Sequence, residues 1–136
     1  MIQKIQFSRF GPAAEVLECV DAPPPPPPGS GEVEIDMIHM PLNPSDIMMT
    51  AGIYGGAPPP LPCDMGREGV GRISATGPDV SGFSVGDLVV PITAPTWQSK
   101  IIRPVEALIP LPPGIVLQQA AMLRSGPATA ALMLRD

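Results

Sequence analysis

A chain of 136 residues fits one domain of ordinary size and is long enough to bury a core, while a second full domain would not fit. Its 13 acidic against 8 basic residues give a net charge of -5, which excludes the clustered Lys and Arg that a nucleic-acid partner demands. Apolar residues make up 44% of the chain, but 21 prolines break them into runs far short of the roughly 20 residues a membrane helix needs, so a soluble protein with no membrane partner is expected.

The chain opens on Met1-Ile2-Gln3-Lys4-Ile5-Gln6-Phe7, whose alternation predicts a strand over residues 4–7 and not a charged start followed by an apolar leader. The start is also poor in Arg and Ser, unlike a transit peptide. Cys19 and Cys63 stand alone and far apart, making neither a disulfide framework nor a metal knuckle. A cytoplasmic location is the expectation. A second strand is predicted over 15–20. Six consecutive prolines follow at 23–28. They favour a polyproline II segment, which serves either as a stiff connector or as a ligand for a partner's aromatic groove.

Residues 32–40 alternate most clearly: Val33, Ile35 and Met37 lie on one face and the acids on the other, one side core and the other wet. A short helix over 44–50 is marked by Pro44 at its first position and Asp46 in its first turn. Strands are predicted over 69–75, 88–91, 99–103 and 108–110. Between the first two of these, Gly82-Phe83-Ser84-Val85-Gly86-Asp87 supplies turn residues, with Phe83 and Val85 available to plug an end of the structure. Short strands at about ten-residue intervals between Gly and Pro clusters form the pattern of an all-β barrel or sandwich. Two helices close the chain, over 117–123 and 127–135, separated by Ser125-Gly126. In the last, Ala128, Ala131, Leu132 and Arg135 share a face. A helix stopping at residue 136 leaves Leu132, Met133 and Leu134 hard to cover.

Several small signatures stand in fixed order: Asn43-Pro44-Ser45-Asp46, Gly52-Ile53-Tyr54, Gly66-Arg67-Glu68-Gly69-Val70-Gly71, the Gly82 to Asp87 turn, and Ser125-Gly126-Pro127-Ala128-Thr129-Ala130. In that order they resemble the catalytic domain of the medium-chain dehydrogenase/reductase superfamily, in its zinc-free branch of 2-enoyl thioester and quinone reductases. Pro28-Gly29-Ser30-Gly31-Glu32-Val33 matches that family's Pro-Gly-x-Gly-Glu-Val loop. The resemblance covers essentially the whole chain. It implies a mainly β, GroES-like fold, a partly open β-barrel with short helices. Residues 1–124 would be the catalytic domain, and 125–136 a junction helix leading to a Rossmann cofactor domain absent from this chain. It further implies NADPH as cofactor, an enoyl thioester or quinone as substrate, and a homodimer formed through the absent domain.

No Gly-x-Gly-x-x-Gly stands between a strand and a helix, since Gly66 to Gly71 leads into a strand. The chain alone is therefore not expected to bind NADPH productively. The competing possibility is a non-enzymatic β-barrel module that binds a partner through its last helix or its proline loop.

No metal is expected. Zinc-bearing relatives carry Cys where this chain has Asn43 and His where it has Arg67, and neither an amide nor a guanidinium replaces a thiolate or an imidazole. The four close cysteines of a structural zinc lobe are missing, and His39 sits alone in a strand. Without zinc, a proton donor must come from a side chain. Tyr54 is the only tyrosine and lies in a Gly-bounded loop; a phenol of pKa about 10 is protonated at neutral pH. The resemblance makes Tyr54 the group that protonates the α-carbon after hydride reaches the β-carbon; otherwise it is a surface loop tyrosine. Asn43, Ser45 and Asp46 make a capped turn, or, by the resemblance, Asn43 and its neighbours floor the cleft beside the nicotinamide. Glu68 is expected to be buried and to seek Arg67, Arg72 or backbone donors. Arg67 replaces the small or amide residue usual in the branch, and its charge bears on which substrates enter. Trp97 is either a core residue or a wall of the acyl pocket, and Thr129 is placed by the resemblance near the nicotinamide ring.

Overall fold

The computed structural model describes residues 1–135. Its strands form two antiparallel sheets. The smaller holds β1 (Ile2–Phe7), β2 (Leu17–Ala22) and β4 (Cys63–Asp64), with β1 in the middle. The larger is ordered β7 (Lys100–Pro104), β3 (Glu32–His39), β5 (Val70–Thr76), β6 (Leu88–Pro91) and β8 (Leu108–Pro110). The sheets meet where Ile5 N–H donates to the Trp97 carbonyl at 2.9 Å and Ser99 N–H donates to the Gln3 carbonyl at 2.8 Å. No closed barrel results. The architecture is mainly β, with one-turn helix α1 (Ala13–Val16), α2 (Pro44–Thr50), α3 (Leu117–Ala120) and α4 (Gly126–Met133) set around it.

Alternation builds the main core. Val33 and Ile35 from β3, Ile73 from β5, Val89 from β6, Ile101 from β7 and Leu108 from β8 pack together fully or almost fully buried. Each such side chain contributes about 1.5–3 kcal/mol by leaving water. Met37 is only half-buried at the edge of this cluster, because the β3–β5 register shifts between Met37 and His39 and turns the end of the strand away. Phe7, Val16, Met65 and Trp97 form a second cluster under the smaller sheet. Ala120 and Ala121 close a third over Val70 and Val90.

The strands over 88–91 and 108–110 lie where expected, and the others shift by one or two residues. Three elements went unforeseen, one of them a single 3-10 turn over Val105–Ala107. After Pro12, residues 13–16 turn once as α1, so β2 starts later than the alternation suggested. β4 has only two residues, too few for any period, and exists because β1 offers it an edge at Gln6 and Phe7. α3 is shorter than expected and gives way to turns over 121–125. In the Gly82 to Asp87 turn, Phe83 packs on the main core but Val85 is exposed and plugs nothing.

The six prolines join β2 to β3 without regular structure, with Pro25 and Pro28 half-buried and the four others exposed. Their exit is pinned at Gly77. Its N–H donates to the Glu32 carbonyl at 2.8 Å, and a Cβ there would lie 1.8 Å from the Gly29 carbonyl oxygen. Only glycine fits.

Candidate functional site

The site is assembled around Glu68, a carboxylate 1% exposed. One oxygen accepts from the Asn43 side-chain amide at 2.8 Å and the other from the Ser125 backbone N–H at 2.7 Å. The Glu68 carbonyl accepts from the Thr96 hydroxyl at 2.6 Å. One buried residue thus ties the start of α2, the start of α4 and the segment before β7. Its partners are an amide and a backbone donor; the guanidiniums of Arg67 and Arg72 go elsewhere, Arg72 donating to the Gly86 carbonyl at 2.7 Å.

Asn43 caps α2 from an extended backbone conformation. Its N–H donates to Asp46 Oδ2 at 2.8 Å, and Asp46 N–H returns a bond to the Asn43 carbonyl at 2.9 Å. With its backbone so fixed, Asn43 is free to send its amide to Glu68. Asp46 is 1% exposed, and its Oδ1 has no partner among the described residues. Burial pushes its carboxyl above the ordinary aspartate value, against the opposing pull of the Asn43 N–H and the Arg67 charge.

Gly66 makes the close approach possible. It has φ +96°, and a Cβ on it would lie 2.4 Å from the Trp97 backbone nitrogen. Trp97 and Gly66 are laced together: Thr96 N–H donates to the Gly66 carbonyl at 3.0 Å and Trp97 N–H to the Met65 carbonyl at 2.9 Å. The Trp97 indole N–H donates to the Pro41 carbonyl at 3.2 Å. This lacing sets Arg67 and Glu68 facing the two helix starts.

A cavity of about 720 Å³ opens between α2, the loop after it and α4. Asn43, Tyr54 and Thr129 all line it, together with Ser45, Arg67 and Arg124. Trp97 does not. It is buried in the second core cluster and borders a separate apolar cavity of about 460 Å³ beside Met37, Met40 and Leu42. Tyr54 is half-buried, with the Arg67 guanidinium 4.9 Å from its ring centroid, a cation–π contact worth about 0.5–1 kcal/mol. Arg124 donates to the Arg67 carbonyl, fixing the backbone beneath that contact. The involvement of Arg124 carried no signal in the sequence, since it lies outside every motif and reaches the cavity only through the turns that follow α3.

His39 ends β3, half-buried. Among the described residues no three of His, Cys, Asp and Glu gather in a way that would hold a metal ion, and no helix is long and apolar enough to cross a membrane.

Residues 29–107 match the alcohol dehydrogenase GroES-like domain family. The chain is 39% identical over 137 residues to the mitochondrial enoyl-[acyl-carrier-protein] reductase of Rattus norvegicus, a match that takes in 99% of this chain and 36% of that protein. Quinone oxidoreductase of Pseudomonas syringae superposes with a TM-score of 0.81 at 34% identity, over 99% of this chain and 41% of the other. Quinone oxidoreductase of Escherichia coli, solved in complex with NADPH, superposes with a TM-score of 0.81 at 28% identity, over 98% of this chain and 40% of the other. The chain therefore spans less than half the length of these relatives.

Proposed function

The chain belongs to the alcohol dehydrogenase GroES-like domain family, within the medium-chain dehydrogenase/reductase superfamily, and from that membership we propose that it is the catalytic-domain portion of an NADPH-dependent reductase acting on the C=C bond of 2-enoyl thioesters. The observation that carries this reading is the convergence of Asn43, Tyr54 and Thr129, distant in sequence, on one cavity.

The cavity suits one end of the cofactor. Asn43, Ser45 and Thr129 present neutral polar groups of the kind that hold a carboxamide-bearing ring. They offer nothing for the pyrophosphate: every paired strand is antiparallel, and among the described residues no glycine-rich turn joins a parallel strand to a helix start. Productive cofactor binding thus requires a second, Rossmann-type domain.

When bound, NADPH supplies hydride to the β-carbon of the substrate. The chain's own task is to place the α-carbon against Tyr54, whose hydroxyl gives up its proton there as the C=C bond is lost, and is reprotonated from solvent. Arg67 holds the ring of Tyr54, and the Glu68 ties hold Asn43 and the start of α4 at fixed separation across the cleft. Trp97 belongs to the frame in this reading, since its position behind Gly66 gives it no face on the cavity. The reading includes no zinc.

A quinone substrate is the second reading, favoured by the 34% identity to the Pseudomonas syringae quinone oxidoreductase. The cytoplasmic location expected from the sequence rested on the start of the chain and on its two isolated cysteines. It is not carried into this reading, because the chain matches only part of its relatives and the rat relative is mitochondrial by name.

The test is a fusion of this chain to the cofactor-binding domain of the Escherichia coli quinone oxidoreductase, with NADPH oxidation followed on crotonyl thioester. The fusion should turn over and the chain alone should not. A folded fusion that binds NADPH yet reduces neither thioester nor quinone would overturn the reading.

A further inference from the structure

The chain is acidic, with 13 Asp and Glu against 8 Lys and Arg, yet the charged side chains lining the 720 Å³ cavity are two arginines, Arg67 and Arg124, and no carboxylate lines it. Most basic residues elsewhere are committed. Lys4 and Lys100 pair with carboxylates, and Arg9, Arg72, Arg103 and Arg124 donate to backbone carbonyls. Arg67 and the exposed Arg135 are the exceptions, and of these Arg67 lines the cavity, half-buried, its guanidinium without a hydrogen bond or ion pair among the described residues. Of the acids nearest it in the site, Glu68 accepts from Asn43 and Ser125 through both oxygens, while Asp46 accepts from Asn43 through Oδ2 alone. The pull of Arg67 on Asp46 is through space only.

The Arg67 guanidinium can therefore take an acceptor without giving up a hydrogen bond inside the chain. It is also held ready, because the Tyr54 ring 4.9 Å away restrains it before any ligand binds. We propose that this cavity binds a carboxylate on Arg67, with Arg124 adding a second positive charge. The proposal rests on the reductase reading and deepens it: the substrate would carry a carboxylate besides the carbonyl conjugated to the reduced double bond.

A carboxylate fits better than a phosphate. The guanidinium fork matches two coplanar oxygens, whereas a phosphate dianion draws on several backbone amides as well. Of the backbone donors at the two helix starts, Asn43 N–H is spent on Asp46 and Ser125 N–H on Glu68.

The experiment uses the purified chain without cofactor. Monomethyl fumarate, its neutral counterpart dimethyl fumarate and inorganic phosphate are titrated separately while the NMR signals of Tyr54, Arg67 and Thr129 are followed. Monomethyl fumarate should bind about tenfold tighter than dimethyl fumarate. Arg67→Gln, checked for folding by circular dichroism, should erase that preference, while Arg72→Gln, altering an exposed arginine away from the cavity, should keep it. Equal binding of half-ester and diester, or a preference that survives Arg67→Gln, would overturn the proposal, and phosphate binding tighter than monomethyl fumarate would overturn the choice of carboxylate. None of these outcomes depends on hydride transfer. A fusion that reduces neutral enoyl thioesters with no preference for acids leaves the reductase standing and removes the anion site. Acid preference in the chain with a fusion that never turns over does the reverse.

Discussion

The side-chain amide of Asn43 donates to the carboxylate of Glu68 at 2.8 Å, and that one bond couples the cap of α2 to a buried charge 1% exposed. Since the other carboxylate oxygen holds the Ser125 N–H, the geometry of the cavity depends on Glu68 keeping two acceptors.

Glu68→Gln keeps the shape but offers one acceptor oxygen in place of two. Either Asn43 or Ser125 then loses its partner in a buried place, and the cost should be about 1–3 kcal/mol. Urea unfolding reads this directly; an unchanged midpoint would show that the two helix starts are not held through this residue.

Gly66→Ala meets two obstacles, a φ of +96° and the Trp97 backbone 2.4 Å from the new Cβ. Gly82→Ala meets only one, since Gly82 has φ +79° but open space around it. The Gly82 variant should lose about 1 kcal/mol, as for one residue in a disfavoured backbone region. The Gly66 variant should lose clearly more, or fail to fold. Thermal melts of the pair separate backbone strain from crowding, and equal losses would remove the close approach as a cause.

Acid stability should reflect two carboxylates of opposite sign. The hydrogen bond from Lys100 holds Glu34 below its ordinary value of 4.5, outweighing burial, with Ser74 helping. A lowered folded pKa means stability that is present above 4.5 and lost as pH falls through the folded value. Burial raises Asp46 above its ordinary 3.8. Its contribution is therefore present at low pH and disappears as pH rises through the folded value. Lys100→Met should flatten the loss of stability on acidification. Asp46→Asn should steepen it, because the opposing group is gone. Urea midpoints measured on both sides of pH 4.5 decide the matter; parallel curves for wild type and both variants would rule out these groups.

Tyr54→Phe, placed in the reductase fusion, keeps the ring under Arg67 and removes only the hydroxyl. Turnover of enoyl thioester should drop about 10²–10⁴-fold while NADPH affinity is retained. Full turnover would take Tyr54 out of the reaction.

The larger sheet was legible because its strands alternate: Val33, Ile35, Ile73 and Val89 declare the buried face residue by residue. α2 was legible from Pro44 and Asp46 at its start. β4 and α1 were not, since two and four residues carry no period and owe their form to the edge of β1 and to Pro12. Asn43, Tyr54 and Thr129, which line one cavity, were singled out through ordered motifs, but the motifs hold no distances. That Arg67 lies over Tyr54, that Glu68 takes an amide in place of a guanidinium, and that Trp97 faces away from the cavity are all products of tertiary packing. Gly66, read in the sequence as one letter of a motif, turns out to be the point where two backbones touch.

β2 is an outer strand of the smaller sheet, with β1 on one side and no strand on the other. Such a margin invites a neighbouring molecule to add a strand of its own. Here the margin runs directly into residues 23–28, six positions in a row that own no backbone N–H. A foreign strand that docked beside β2 would find its hydrogen-bond ladder broken as soon as it passed Ala22. The proline run would thus limit the length of any such intermolecular sheet to the six residues of β2.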